Sequence, residues 1–188
     1  SYLDTQAVCI GWSTLSRLSE LRAFVVGAGA IGCELLKNFA LLGVATGAHG
    51  VLTVTDPDLI ERSNLSRQFL FREADVRQPK AATAARAVAR LAPRLHIRAA
   101  TDKVCAETEG AYGPAFFGAL DVVATALDNV PARRYVDACC VRAARPMLDS
   151  GTLGAKGHVQ VVLPHRTEHY GAARDPAARD VPLCTIHA

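Results

Sequence analysis

Val25-Val26-Gly27-Ala28-Gly29-Ala30-Ile31-Gly32-Cys33-Glu34 decides the fold of this chain. It reads as the end of a buried strand, a Gly-x-Gly-x-x-Gly turn and the start of a helix. A helix N-terminus leaves backbone N–H groups unpaired and carries partial positive charge, so it suits a phosphate. Glycine is needed at such a turn because a Cβ would bar the tight bend and hold the backbone away from the ligand. By itself the motif indicates a nucleotide without naming one; the polar residues downstream must do that.

Around this stretch, strands and helices alternate as a parallel sheet covered on both faces requires. A short amphipathic helix is expected over 13–22 with Ser13 as N-cap, a strand over 23–26, and a helix over 30–42 ending at Gly43. A second strand spans 51–55, and a polar, irregular stretch follows over 57–77. Pro79 opens a helix to about residue 91. Strands are expected over 96–100 and 121–125, with a weaker helix over 107–117 between them. A helix over 131–144, a short strand over 147–149, a glycine-rich turn over 151–157 and a strand over 158–163 complete the pattern. The fold class is α/β, a Rossmann-like, doubly wound, mostly parallel sheet. Residues 1–165 form the nucleotide-binding domain. After Pro164 the chain turns rich in Ala, Arg, Asp and Pro, so 166–188 reads as a crossing loop that enters a truncated further domain.

Half of the 188 residues are apolar, which is enough for one substantial core. A formal charge of +3, with Lys and Arg scattered, gives no argument for nucleic acid. No apolar run reaches the length of a membrane span, and no secretory signal opens the chain. The expected setting is the cytoplasm, with the nucleus also open. The six cysteines, at 9, 33, 105, 139, 140 and 184, include no Cys-x-x-Cys pair, so a zinc knuckle is not supported. Cys33, Cys105, Cys139 and Cys140 read as small apolar fillers.

Asp56 stands at the carboxyl end of the second strand, 24 residues beyond Gly32, where an acid accepts hydrogen bonds from ribose hydroxyls of NAD or ATP alike. Asn64, Arg67 and Gln68 follow in the irregular stretch and look like phosphate ligands. An arginine fork matches phosphate oxygens and keeps its charge. Lys80, at a helix start, adds a second cation. Phe69, Leu70 and Phe71 read as anchors of this loop on the core. Asp128 follows the strand at 121–125 and should face the ligand crevice at the strands' carboxyl ends. It reads as a Mg²⁺ ligand, or else as the cap of the next helix. Such an array suits transfer at phosphorus, which is mostly positioning and charge neutralisation, better than hydride transfer.

These residues together resemble the active adenylation half of the ubiquitin-activating (E1) enzymes. The likeness is carried by Gly27 to Gly32, Thr55-Asp56-Pro57-Asp58, Ser63-Asn64-Leu65-Ser66-Arg67-Gln68-Phe69-Leu70-Phe71-Arg72, Lys80 and Ala126-Leu127-Asp128-Asn129. Ser150-Gly151-Thr152-Leu153-Gly154-Ala155-Lys156-Gly157 and Pro182-Leu183-Cys184-Thr185 extend it. Cys33 to Phe39 is similar to the large single-chain E1 type, and the Ser-Asn-Leu-Ser-Arg wording leans to the branch activating the interferon-induced modifier.

The resemblance implies the fold of ThiF, MoeB and E1 adenylation domains, with ATP and Mg²⁺ as cofactors. It implies adenylation of a modifier's C-terminal carboxylate, then thioester formation on a cysteine. By the same resemblance Gly27, Gly29, Ala30, Gly32 and Asp56 hold the nucleotide, and Asn64, Arg67, Gln68 and Lys80 bind its phosphates. Asp128 holds the metal, Asn129 completes the site, and Cys184 is the thioester cysteine; Cys184, Asp128 and Arg67 are the catalytic set. The implied partners are ubiquitin or a ubiquitin-like modifier, an E2 conjugating enzyme and an inactive adenylation half, with neither nucleic acid nor membrane. A sulfur-carrier adenylyltransferase of the ThiF/MoeB type is the first alternative, although its frequent Cys-x-x-Cys zinc ligands are missing. An NAD-dependent oxidoreductase and a non-catalytic scaffolding half are further ones. The chain departs from the E1 pattern at Ser1, where an arginine is usual, and at Ile186-His187-Ala188.

Overall fold

The structure, a computed structural model, describes residues 2–153 and 156–172. Helices α1 (Tyr2–Ile10) and α2 (Trp12–Ser19) lead into strand β1 (Arg22–Val26). Helix α3 (Ala30–Leu41), strand β2 (Val51–Thr55), helix α4 (Lys80–Leu91) and strand β3 (Ile97–Ala100) follow. A short helix α5 (Pro114–Gly118), strand β4 (Val122–Thr125), helix α6 (Val130–Arg142) and strands β5 (Met147–Leu153) and β6 (Lys156–Val162) complete the described chain. The sheet runs β3-β2-β1-β4-β5-β6, parallel except for the antiparallel β5–β6 pair.

Alternation within β1 divides the interior. Ala23 and Val25 point to one core with Leu52 and Val54 of β2, Leu36 and Ala40 of α3, and Ala84 and Val88 of α4. Phe24 and Val26 point to the opposite core with Val123, Phe117 of α5, Val136 and Cys140 of α6, and Met147. Both faces of the central strands are therefore buried, which is why β1 reads as a continuous apolar run. Small side chains on the α3/α4 face let the helices approach closely. Phe24, Tyr112, Phe116 and Phe117 form an aromatic cluster on the other face, with Phe24 stacked on Tyr112 and Phe116 edge-on to all three others.

Where the chain changes direction, the strand order reverses between β1 and β4, and the carboxyl ends of both open onto one crevice. Helix α3 stops as expected, with Gly43 at φ +76° just beyond its last turn.

Four local expectations are corrected. Two helices occupy the N-terminal region rather than one over 13–22; Gly11, at φ +81°, divides them, and Ser13 lies inside α2 instead of capping it. The helix expected over 107–117 is a 3-10 turn (Ala106–Thr108) and the separate α5, because Gly110 and Gly113 interrupt it and Pro114 starts afresh. Pro79 is the residue before α4 rather than within its first turn. The expected glycine-rich turn over 151–157 is instead strand on both sides, with Gly151 paired opposite His158 and Thr152 opposite Gly157.

Candidate nucleotide-binding site

A cleft of ≈ 870 Å³ opens at the carboxyl ends of β1, β2 and β4. Its floor is the glycine turn. Gly27, at φ +103°, packs so closely on the loop after β4 that a Cβ would come within 2.6 Å of the Ala126 carbonyl oxygen. A Cβ on Gly32 would come within 2.2 Å of the Gly27 carbonyl oxygen, so only glycine lets α3 start where it does. Gly29, by contrast, has open space, with Gln68 Nε2 3.9 Å from a built Cβ. No side chain caps α3 at Gly29. The cleft thus faces a helix start with its first-turn amides at Ala30 and Ile31.

Asp56 is buried and braces this turn. Its Oδ2 accepts from the Ala28 N–H at 2.6 Å, and its Oδ1 from the Asp58 N–H at 2.9 Å. Burial pushes its carboxyl above the ordinary value, opposed by those two amides and by the Lys80 charge. Each oxygen keeps a further lone pair for a ligand hydroxyl.

The irregular stretch after β2 folds over the cleft through a 3-10 turn (Arg62–Ser66) closed reciprocally by Glu61 and Asn64. Asn64 is buried, its Oδ1 accepting from the Glu61 N–H at 2.9 Å. Arg67 is exposed and lends one donor to the Ser63 carbonyl at 2.9 Å, which holds its stem over the cleft. Gln68 is buried, and its Oε1 has no hydrogen-bond partner among the described residues. A buried amide oxygen left so calls for a donor beyond the described residues, such as a water or a ligand. Leu70 and Phe71 anchor the segment as expected, whereas Phe69 is exposed with Lys37 Nζ 5.4 Å above its ring. Lys80 is buried along its stem and pairs with Asp58 at 2.7 Å.

Asp128 is exposed at the far wall. Asn129, not Asp128, caps α6, its Oδ1 accepting from the Ala132 N–H at 2.9 Å, while its Nδ2 lies 3.2 Å from Asp128 Oδ1. The capping alternative for Asp128 is thereby removed. No group of three or more His, Cys, Asp or Glu residues able to hold a metal exists among the described residues. A cation here would have to complete its shell with ligand and water oxygens, which is the habit of Mg²⁺.

Residues 3–188 match the ThiF family. The chain belongs to the ThiF family. This ThiF-family chain is 53% identical over 184 residues to ubiquitin-like modifier-activating enzyme 6 of Mus musculus, covering 97% of the chain and 18% of that protein. It is 52% identical over 188 residues to ubiquitin-activating enzyme E1 2 of Arabidopsis thaliana, covering 100% of the chain and 18% of that protein. The chain thus spans under a fifth of the length of these relatives. Its fold matches the crystal structure of E. coli MccB with MccA-N7isoASN, with a TM-score of 0.72 at 23% identity over 83% of this chain and 43% of that one.

Gly27, Gly29, Ala30, Asp56, Asn64, Arg67, Gln68, Lys80, Asp128 and Asn129 all line the one cleft, and Gly32 packs directly beneath it. Cys184 lies outside the described residues. The structure adds Asp102, Arg133, His158 and Tyr170, which sequence reading did not single out. Arg133 had a legible signal: it shares the inward face of α6 with Val136 and Cys140, an odd place for a charge. Cys33, Cys139 and Cys140 are buried as expected, but Cys105 is only partly so.

Proposed function

We propose that this chain is the ATP-dependent adenylation unit of an E1-type activating enzyme. The modifier's C-terminal carboxylate attacks the α-phosphorus of ATP, the bond to the β-phosphate oxygen breaks, and an acyl adenylate and pyrophosphate result. A cysteine thiolate, assigned to Cys184, then displaces AMP and forms a thioester. A carboxylate is a poor electrophile until its oxygen is made a good leaving group, so adenylation comes first.

The observation that carries this reading is the convergence of Arg67, Lys80, an uncapped helix start and Asp128 on one cleft. Hydride transfer has little use for such an array; phosphoryl chemistry depends on it. In this reading Asp56 holds the ribose, while Asn64, Arg67, Gln68 and Lys80 gather the phosphates with the amides at Ala30 and Ile31. The orphaned Gln68 carbonyl would accept from the bound nucleotide. Lys80 would exchange its contact with Asp58 for a phosphate oxygen. Asp128 would hold Mg²⁺, which neutralises phosphate charge when bound, and Asn129 would steady that carboxylate.

A ubiquitin-like modifier and an E2 conjugating enzyme are the partners this reading requires. An inactive adenylation half is the third, and the apolar stripe of Val159 and Val161, 74% and 51% exposed, suits such a packed neighbour.

The test is ATP–pyrophosphate exchange in the full-length protein with its modifier. Asp128→Ala should lower exchange by about 100-fold or more, given the size of electrostatic contributions at such sites. Undiminished exchange would refute the metal role. Cys184→Ala should leave exchange intact and abolish the thioester seen on a non-reducing gel.

A further inference from the structure

We infer that Arg133 is a positioning residue: it fixes the loop that carries Asp128 and couples that loop to residues 169–172. The inference rests on reading the cleft as a Mg·ATP site.

Arg133 is almost wholly buried on α6, and both terminal nitrogens of its guanidinium have partners, one of them also lying 3.4 Å from His158 Nε2 on β6. One arm meets Asp149 Oδ2 at 2.6 Å, and Asp149 is itself completely buried on β5, where Thr125 donates to its other oxygen. The second arm donates to the Leu127 carbonyl. Its Cζ lies over the Tyr170 ring, 5.9 Å from the ring centre, and Tyr170 follows β6 and lines the same cleft. Gly151 leaves room for all this, because a Cβ there would meet Arg133 at 2.4 Å and His158 at 2.6 Å.

The consequence concerns Asp128. Leu127 is held by its carbonyl to Arg133, and Asn129 is held as the cap of α6. Asp128 is therefore one residue suspended between two fixed points, exposed but not free to wander. The Tyr170 ring on the same guanidinium ties this arrangement to residues 169–172. There His169, Tyr170 and Gly171 all donate to, or pair with, the buried carboxylate of Asp137 on α6. Arg133 is thus shared by the β4 loop, by β5 and by the segment leaving the sheet. An ammonium could neutralise Asp149, but its compact point charge could not also span to the Leu127 carbonyl and keep a cation over the Tyr170 ring.

The test uses this chain, with Arg133→Lys and Tyr170→Leu as variants and amide hydrogen exchange as one readout. Calorimetry of ATP with and without Mg²⁺ is the other. Arg133→Lys retains a charge against Asp149. It should lower protection at residues 127–130 and remove about 10- to 100-fold of the Mg²⁺-dependent gain in ATP affinity, as loss of an orienting partner behind a metal ligand does elsewhere. ATP affinity without Mg²⁺ should fall by less than this Mg²⁺-dependent loss, because Arg133 itself lines the cleft. Tyr170→Leu should loosen 127–130 in the same direction from another segment, and it carries the measurement if Arg133→Lys fails to fold. A variant that lowers both ATP affinities equally, or leaves exchange at 127–130 untouched, would overturn the inference. Absence of ATP binding by the unmodified chain would count against the nucleotide reading of the isolated chain. Exchange at 127–130 in the two variants would then still decide the positional tie.

Discussion

Asp56 shows how one buried carboxyl links the stability of the glycine turn to pH. Burial raises its folded-state value above that of the unfolded chain, so the native state keeps the proton where the unfolded state releases it. Its contribution to stability is fully present below the ordinary Asp value and is lost as pH rises through the higher folded one. Urea unfolding of the parent against Asp56→Asn should therefore show the parent's relative stability falling from about pH 4 towards neutrality. A difference that grows with pH would reverse this account. The thiols give a simpler contrast. Burial pushes Cys33 up to about 11 and Cys140 higher still, while Cys9 is exposed. Native-state alkylation near pH 8 followed by peptide mapping should label Cys9 and spare Cys33 and Cys140, because only thiolates react.

At the scale of elements, the β1 turn and α3 form one unit whose shape depends on the absence of a side chain. Gly32→Ala would drive a Cβ against the Gly27 carbonyl, and relief would require α3 to shift on its strand. The expected cost is about 1–3 kcal/mol of folding stability by chemical denaturation, together with loss of ATP binding. That unit was legible from sequence because glycine spacing and a buried strand are local signals. The shared place of Asp56, Arg67, Lys80 and Asp128 on one cleft was legible too, since they follow in order after elements whose ends could be placed. Arg133 and Asp149 were not read as a site, since a buried ion pair between α6 and β5 is a tertiary fact. Only the charge on an apolar helix face hinted at it. Helix α1 was missed because Tyr2–Ile10 carries little apolar periodicity, and α2 was misplaced because Gly11, not Ser13, stands before its first turn. The break between the 3-10 turn at Ala106–Thr108 and α5 followed from Gly110 and Gly113, whose joint effect the apolar pattern masked.

Two cores on opposite faces of one sheet hold the cleft walls apart, and residues 169–172 pack across the middle of α6 at Arg133 and Asp137. Asp137 is the fastening: buried, it accepts from the Tyr170 and Gly171 N–H groups at 3.1 and 2.9 Å and pairs with His169 at 2.7 Å. Asp137→Ala should cost about 1–3 kcal/mol by leaving those donors unpaired, and limited proteolysis should then cut near 169–172 sooner than in the parent. The strand order has a kinetic consequence as well. The β1 strand meets β4 where the Arg22 amide donates to Asp121, 99 residues further along, and the other parallel pairs also await a crossover. Such contacts require long loops to close first, whereas the β5–β6 hairpin can zip within microseconds. During synthesis the walls of the cleft remain unjoined until β4 has emerged, so the half carrying the glycine turn must wait, with an unpaired strand edge, for the half carrying Asp128.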